Sequence, residues 1–67
     1  MEERTRKVAA HEVRVGEKVL QQAVVELQAG KVVGYYSFVH EQAMTEWLGG
    51  TIEIIGDRAY WDGKLLE

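Results

Sequence analysis

Seven glycines divide this chain into short runs that are rich in valine and isoleucine, and the chain contains no proline. Most of the glycines separate two such runs, and glycine is the residue that tight turns between antiparallel strands most often require. Short runs of β-branched residues between turns are typical of strands. The glycine spacing therefore predicts a small, mostly antiparallel β domain.

The turns predict the order of the first three strands. Residues 7–15 and 19–27 should form a hairpin around Gly16-Glu17, because a type II′ turn needs glycine at its first central position. A three-residue loop ending in Gly30 should then lead to a third strand at residues 32–39. We expect these strands to form a three-stranded antiparallel meander.

The second part of the chain begins with a different pattern. Residues 41–48 contain good helix formers and place Met44, Trp47 and Leu48 at helical spacing, so they predict one or two helical turns that end at Gly49-Gly50. Residues 51–55, 58–61 and 64–66 predict a second small antiparallel hairpin or meander. The predicted fold class is α+β, mainly β, packed as a sandwich-like or open-barrel arrangement.

The domain organisation follows from these elements. Residues 1–7 are charged and lack an apolar anchor, so we expect a flexible N-terminal arm followed by one small domain at residues 8–67. Leu66-Glu67 is a dipeptide that often joins a cloned gene to a purification tag, and it receives no functional weight. Trp47 and Trp61 are predicted to anchor the core, each with a hydrogen-bond partner for its indole N–H.

Sixty-seven residues allow only a thin core, and the chain has no cysteine to reinforce it with disulfides or thiolate metal sites. A chain of this size buries only about 60% of the surface that its unfolded form exposes. Small domains then depend on a disulfide, a metal or a partner subunit. We expect a partner subunit here.

Strict alternation along the predicted meander gives it two apolar faces. The strands of an antiparallel sheet with one face in water should alternate between apolar and polar residues. The strands of this meander do not alternate in that way. The rest of the chain is long enough to cover one face, so the other should be an exposed apolar patch of the kind that forms interfaces. We therefore predict a homodimer, with an interface at Val8, Val25, Val33, Tyr35 and Val39.

A row of polar side chains supports an alternative function. In the predicted register His11, Gln22 and Tyr36 lie side by side, and such a row could form a small-ligand or catalytic site. More often such a row is a satisfied polar network in the core, since buried polar groups are seldom unpaired. Neither histidine has metal-ligand spacing to another, and there is no nucleophile motif or phosphate-binding loop. We assign no catalytic residue, metal or cofactor, and we expect a binding or structural module rather than an enzyme.

The charge distribution argues against two classes of main partner. The formal net charge is −3, and the eight lysine and arginine residues are spread along the chain. Nucleic acid and anionic membranes both require clustered cations. No apolar stretch approaches the roughly 18 residues of a membrane-spanning segment, so we expect a cytoplasmic protein.

The segment Met44-Thr45-Glu46-Trp47-Leu48-Gly49-Gly50-Thr51-Ile52-Glu53-Ile54 resembles a group of small bacterial proteins without an established activity. The similarity extends over residues 8–63, and it implies a compact bacterial domain. The pattern of residues 24–33 also looks like one hairpin of the small β domain of amidohydrolase-type enzymes. No metal motif accompanies this second resemblance, so it implies no hydrolase residue.

Overall fold

In the computed structural model, which describes residues 5–38 and 45–67, seven strands form one mixed sheet. Strands make up 74% of the described residues and none of these residues is helical, so the fold is mainly β as predicted. The strands are β1 (Thr5–Val15), β2 (Lys18–Gln28), β3 (Lys31–Ser37), β4 (Glu46–Trp47), β5 (Thr51–Ile55), β6 (Arg58–Trp61) and β7 (Lys64–Leu65).

The strand order in the sheet is β3-β2-β1-β5-β6-β7, and β4 also pairs with β1. Neighbouring strands are antiparallel except where β1 meets β4 and β5, which run parallel to it. The two predicted parts, a separate meander and a second hairpin, are therefore not confirmed as units. They are joined through β1 into a single sheet.

The predicted helix at residues 41–48 is wrong for its described part. Glu46 and Trp47 pair with Val8 and Ala9 in parallel, and the Leu48 N–H donates to the Ala9 carbonyl at 2.8 Å. Residues 41–44 lie outside the described residues. One edge of β1 faces β2, and its other edge needs partners for its backbone groups. An extended segment supplies them, and this tertiary pairing outweighs a weak helix propensity.

The first strand begins at Thr5, inside the stretch predicted as an arm. Arg6 binds Glu46 at 2.8 Å, and the Lys7 ammonium lies 3.9 Å from Glu26. Residues 5–7 are therefore part of the sheet, whereas residues 1–4 lie outside the described residues.

A matched irregularity in β1 and β2 brings their apolar side chains to one face. The core residues Ala10 and Val13 of β1 are three apart at this point, and so are Leu20, which packs against the core, and the core residue Ala23 of β2. Gln22, which lies between Leu20 and Ala23 in β2, has a φ of 48°, and this left-handed conformation interrupts the regular pleat. Strict alternation therefore fails here, and most of the second apolar face that it predicts does not exist.

The core is the inner face of a curled sheet. The Val32 N–H at the start of β3 donates to the Asp57 carbonyl in the β5–β6 turn at 2.7 Å, and Arg58 donates from Nη1 to the Gly30 carbonyl at 2.9 Å. These bonds join strands that are not neighbours in the sheet order. The enclosed core consists of Val8, Ala10, Val13, Ala23, Val25, Leu27, Ile52, Ile54, Ala59 and Leu66.

The terminal dipeptide contributes to this fold. Leu66 is buried in the core, and its N–H donates to the Ala59 carbonyl at 2.8 Å. The Glu67 carbonyl accepts a bond of 2.7 Å from Nη1 of Arg6. The residues that follow β7 therefore cover part of the inner face of the sheet.

The register between β2 and β3 differs from the predicted one. The loop has two residues, Ala29 and Gly30, both with positive φ, and a bulge shifts the pairing between Glu26 and Leu27. As a result β3 is displaced by two residues from its predicted position, and Tyr36 lies opposite Val24.

Candidate functional site

The structure separates the five predicted interface residues into three groups. Val8 and Val25 are fully buried in the core of their own chain, so they have no surface left for a partner. Val33 and Tyr35 are exposed on β3. Val39 lies outside the described residues. The interface hypothesis therefore continues with Val33 and Tyr35.

Both exposed residues lie on a strand at the edge of the sheet. The Phe38 N–H donates to the Gln22 carbonyl at 2.9 Å, which fixes the direction of the backbone groups at the end of β3. Because hydrogen-bonding direction alternates along an antiparallel pair, the backbone groups of Tyr35 and Ser37 point away from β2. In the part of the chain that the structure describes, these outward groups have no hydrogen-bond partner.

The edge strand lacks most of the residues that protect sheet edges. Natural edge strands carry lysine, proline or other charged residues that prevent pairing with another chain. Residues 32–37, with the sequence Val-Val-Gly-Tyr-Tyr-Ser, contain none of them. The bulge lies near the start of β3, so the stretch from Gly34 to Ser37 pairs regularly with β2.

The outer face of the sheet carries a separate group of aromatic side chains. Ala9 and Val24 pair with each other and are buried, although they do not belong to the core cluster. Tyr36 lies opposite Val24, and Trp47 lies opposite Ala9. Since directly paired residues share a face of the sheet, the two aromatic residues flank the two small ones in one row.

Two further rings pack on Trp47. The ring of His11 lies 4.8 Å from that of Trp47, and the ring of Phe38 lies 6.4 Å from it, both with interplanar angles of 89°. Edge-to-face pairs of this kind are favourable by about 0.5–1.5 kcal/mol beyond area burial. We call His11, Tyr36, Phe38 and Trp47 the aromatic surface. Trp47 remains 53% exposed in it, so the prediction that Trp47 anchors the core is wrong.

The two tryptophans differ in their hydrogen bonds. Trp61 packs against the core, as predicted, and donates its indole N–H to the Gly49 carbonyl at 2.9 Å. The indole N–H of Trp47 has no acceptor among the described residues. A Cβ at Gly49 would lie 3.7 Å from the indole nitrogen of Trp47, so the absence of a side chain leaves space beside this donor.

Three ion pairs involve charged side chains of β1. In each of them a carboxylate lies against a cation, and two of the three distances are 2.8 Å. Exposed ion pairs of this kind contribute little to stability. The pairs are Glu12 with Arg14, Glu46 with Arg6 and Glu26 with Lys7.

The predicted polar row is only partly present. His11 and Gln22 are both exposed at the irregularity in β1 and β2, whereas Tyr36 lies one row away, opposite Val24. No hydrogen bond connects these three side chains in the described structure. The arrangement offers aromatic rings and a hydrogen-bond donor, and it shows no proton-transfer pair.

The chain matches no protein-family model, no curated protein and no solved structure. The resemblance of residues 44–54 to small bacterial proteins therefore stays a prediction. Among residues 5–38 and 45–67 there is no helix of the length and apolar character that crossing a bilayer requires.

Proposed function

We propose that this domain is a self-associating module in which β3 pairs with β3 of a second copy. The observation that supports the proposal is the outward-facing, uncharged backbone edge at Tyr35 and Ser37. A second copy supplies the same groups in the opposite direction, so two-fold pairing satisfies both edges at once. The result is one continuous sheet across two chains.

The side chains of β3 are compatible with a two-fold axis at Tyr35. Antiparallel pairing about this residue brings Val33, the residue at the bulge, next to Ser37 of the second copy, so the exposed Val33 side chain loses part of its contact with water. Tyr36 then lies opposite Gly34 of the second copy. Because Gly34 has no side chain, the Tyr36 ring meets no obstruction from the residue across the seam.

The proposal also meets the stability requirement of a short chain. Pairing buries Val33 and Tyr35, which are exposed in the single chain. It also gives hydrogen-bond partners to an edge that would otherwise promote uncontrolled association. A closed two-fold pair removes this edge, since each copy has one β3.

Two matched valine substitutions test the proposal. Val33 is 55% exposed on β3 and Val19 is 51% exposed on β2, so replacing either with lysine puts a charge at a comparably accessible position. We expect Val33→Lys to give a monomer by size-exclusion chromatography with light scattering, because lysine is a residue that prevents edge pairing. We expect Val19→Lys to keep the mass of the unmodified protein.

Far-ultraviolet circular dichroism of both variants checks that the sheet is intact. If folded Val33→Lys and Val19→Lys have the same mass, β3 is not the interface and the proposal fails.

A further inference from the structure

Gly34 lies in the middle of β3, at a position where the fold of the single chain does not require glycine. Its φ is outside the left-handed region, and the adjacent bulge has Val33 as its extra residue. Among the described residues, a Cβ at Gly34 would meet only Oε1 of Glu26, at 3.7 Å, which is ordinary van der Waals contact. Glycine weakens a strand, and it often marks a place that another chain approaches closely.

The space above Gly34 contains a hydrogen-bond acceptor. Glu26 pairs with Gly34 across β2 and β3, so the two residues share the outer face of the sheet. Oε2 of Glu26 lies 3.9 Å from Nζ of Lys7, whereas Oε1 has no hydrogen-bond partner in the part of the chain that the structure describes. A carboxylate oxygen in this position can accept a charge-assisted hydrogen bond.

Tyr36 carries a matching donor. It lies two residues after Gly34 on the same face of β3. Its hydroxyl group has no hydrogen-bond partner among residues 5–38 and 45–67. Two-fold pairing about Tyr35, the residue between them, places Tyr36 of each copy opposite Gly34 of the other. The edge of β3 is therefore complementary to itself, because each gap faces a large side chain.

The distances allow contact across the gap. Neighbouring strands are about 4.8 Å apart, so Glu26 and Tyr36 of the second copy are separated by about two such spacings. Oε1 of Glu26 already extends over Gly34. The tyrosine has to cover roughly the one remaining spacing, which is within the reach of an aromatic side chain.

We infer that Tyr36 of each copy lies over Gly34 of the other copy and donates its hydroxyl hydrogen to Oε1 of Glu26. The inference rests on the pairing of β3 proposed above, and it adds the contact that makes the pairing specific. An unrelated strand without an aromatic residue at this place would leave the gap empty and the carboxylate oxygen without a donor. The surface therefore selects a second copy of this chain.

Two tyrosine variants test the hydrogen bond. Tyr36→Phe keeps the ring and removes the hydroxyl group, so the pair loses two bonds to a charged group. We expect its dissociation constant, measured by sedimentation equilibrium, to rise about tenfold or more. Tyr60→Phe removes the same group from β6, outside the pairing edge, and should leave the dissociation constant unchanged.

A double-mutant cycle tests whether Tyr36 and Glu26 act on each other. Glu26→Ala should also weaken the pair, and adding it to Tyr36→Phe should weaken the pair much less than the two separate effects combined. Fully additive effects would contradict the contact.

Filling the gap is a further test. Gly34→Val favours the strand conformation in the single chain, but its side chain occupies the space that Tyr36 of the second copy needs. We expect circular dichroism to show an intact sheet and light scattering to show a shift of the mass towards one chain.

Disulfide formation tests the position of the two-fold axis, because the chain has no cysteine of its own. Tyr35→Cys places two cysteines directly opposite each other, within the range of Cα separations that a disulfide spans, and should give a cross-linked pair on oxidation. Ser37→Cys places them too far apart and should not. A pair that Tyr35→Cys fails to cross-link would overturn the inference.

The contact and the pairing fail in different ways. If Val33→Lys separates the pair but Tyr36→Phe leaves its dissociation constant unchanged, the pairing of β3 stands and the contact with Glu26 is overturned. If the unmodified protein is a single chain at every concentration, both are overturned.

Discussion

Trp61 donates its indole N–H to the carbonyl oxygen of Gly49 at 2.9 Å. This bond ties β6 to the segment between β4 and β5, and the Trp61 ring packs against the core beside it. Trp47, which precedes Gly49 by two residues, is turned to the outer face. Trp61 therefore has a structural role, whereas Trp47 is exposed, although both lie close to Gly49.

Replacing each tryptophan with phenylalanine should distinguish the two roles. Trp61→Phe should lower the free energy of unfolding by about 1–2 kcal/mol, because it removes a partly buried hydrogen bond. Trp47→Phe should change it by no more than about 0.5 kcal/mol, as expected for an exposed side chain. Urea unfolding at one fixed protein concentration measures both values. Equal losses in the two variants would contradict the assignment.

Gln21 and Gln22 form a second matched pair. Gln22 has a φ of 48°, and a β-branched side chain in that region costs about 1–2 kcal/mol. We expect Gln22→Val to destabilise the protein by that amount. Gln21→Val, in the regular ladder opposite Glu12, should be neutral or slightly stabilising because valine favours strands.

Thermal and urea unfolding of these two variants test the irregularity directly. If Gln22→Val were as stable as Gln21→Val, β2 would be a regular strand at this point. The core and outer faces would then have to be reassigned.

Val25 and Val19 test which valines of β2 form the core. Val25 is fully buried among core residues, so Val25→Ala should lower the free energy of unfolding by about 2 kcal/mol through lost burial and a cavity. Val19→Ala, at an exposed position on the same strand, should change it by no more than about 0.5 kcal/mol. A small effect of Val25→Ala would support the original prediction that Val25 faces a partner.

The strands were predictable because their signals are local. The strands at residues 51–55 and 58–61 have the predicted ends, since alternating Ile52 and Ile54 and the turn at Gly56-Asp57 lie within a few residues of each other. The hairpin of β1 and β2 has the predicted register, with Val13 opposite Leu20. Turn chemistry fixes register over such short distances.

The errors arise where distant parts of the chain interact. Glu46-Trp47 contains helix formers, and only the open edge of β1 makes it a strand. The irregularity in β1 and β2 is visible in the sequence as a spacing of three between apolar residues. Ala10 and Val13 have this spacing in β1, and Leu20 and Ala23 have it in β2. A prediction that assumes strict alternation between two faces does not allow this spacing. It therefore assigns Val8 and Val25 to an exposed face.

The aromatic surface could not be assembled from the sequence for the same reason. His11, Phe38 and Trp47 lie on different parts of the chain, and their contact depends on the β2–β3 register and on β4. The two-residue loop and the bulge placed Phe38 opposite Gln22, where Tyr36 was expected. A shift of two residues in one strand thus changed the composition of the site.

The mass of the unmodified protein in solution tests the central claim, that two copies join through β3. Size-exclusion chromatography with light scattering at micromolar concentration should give twice the chain mass of 7.6 kDa. On dilution the mass should fall towards that of one chain as the pair dissociates. A mass of 7.6 kDa at every concentration would contradict the account.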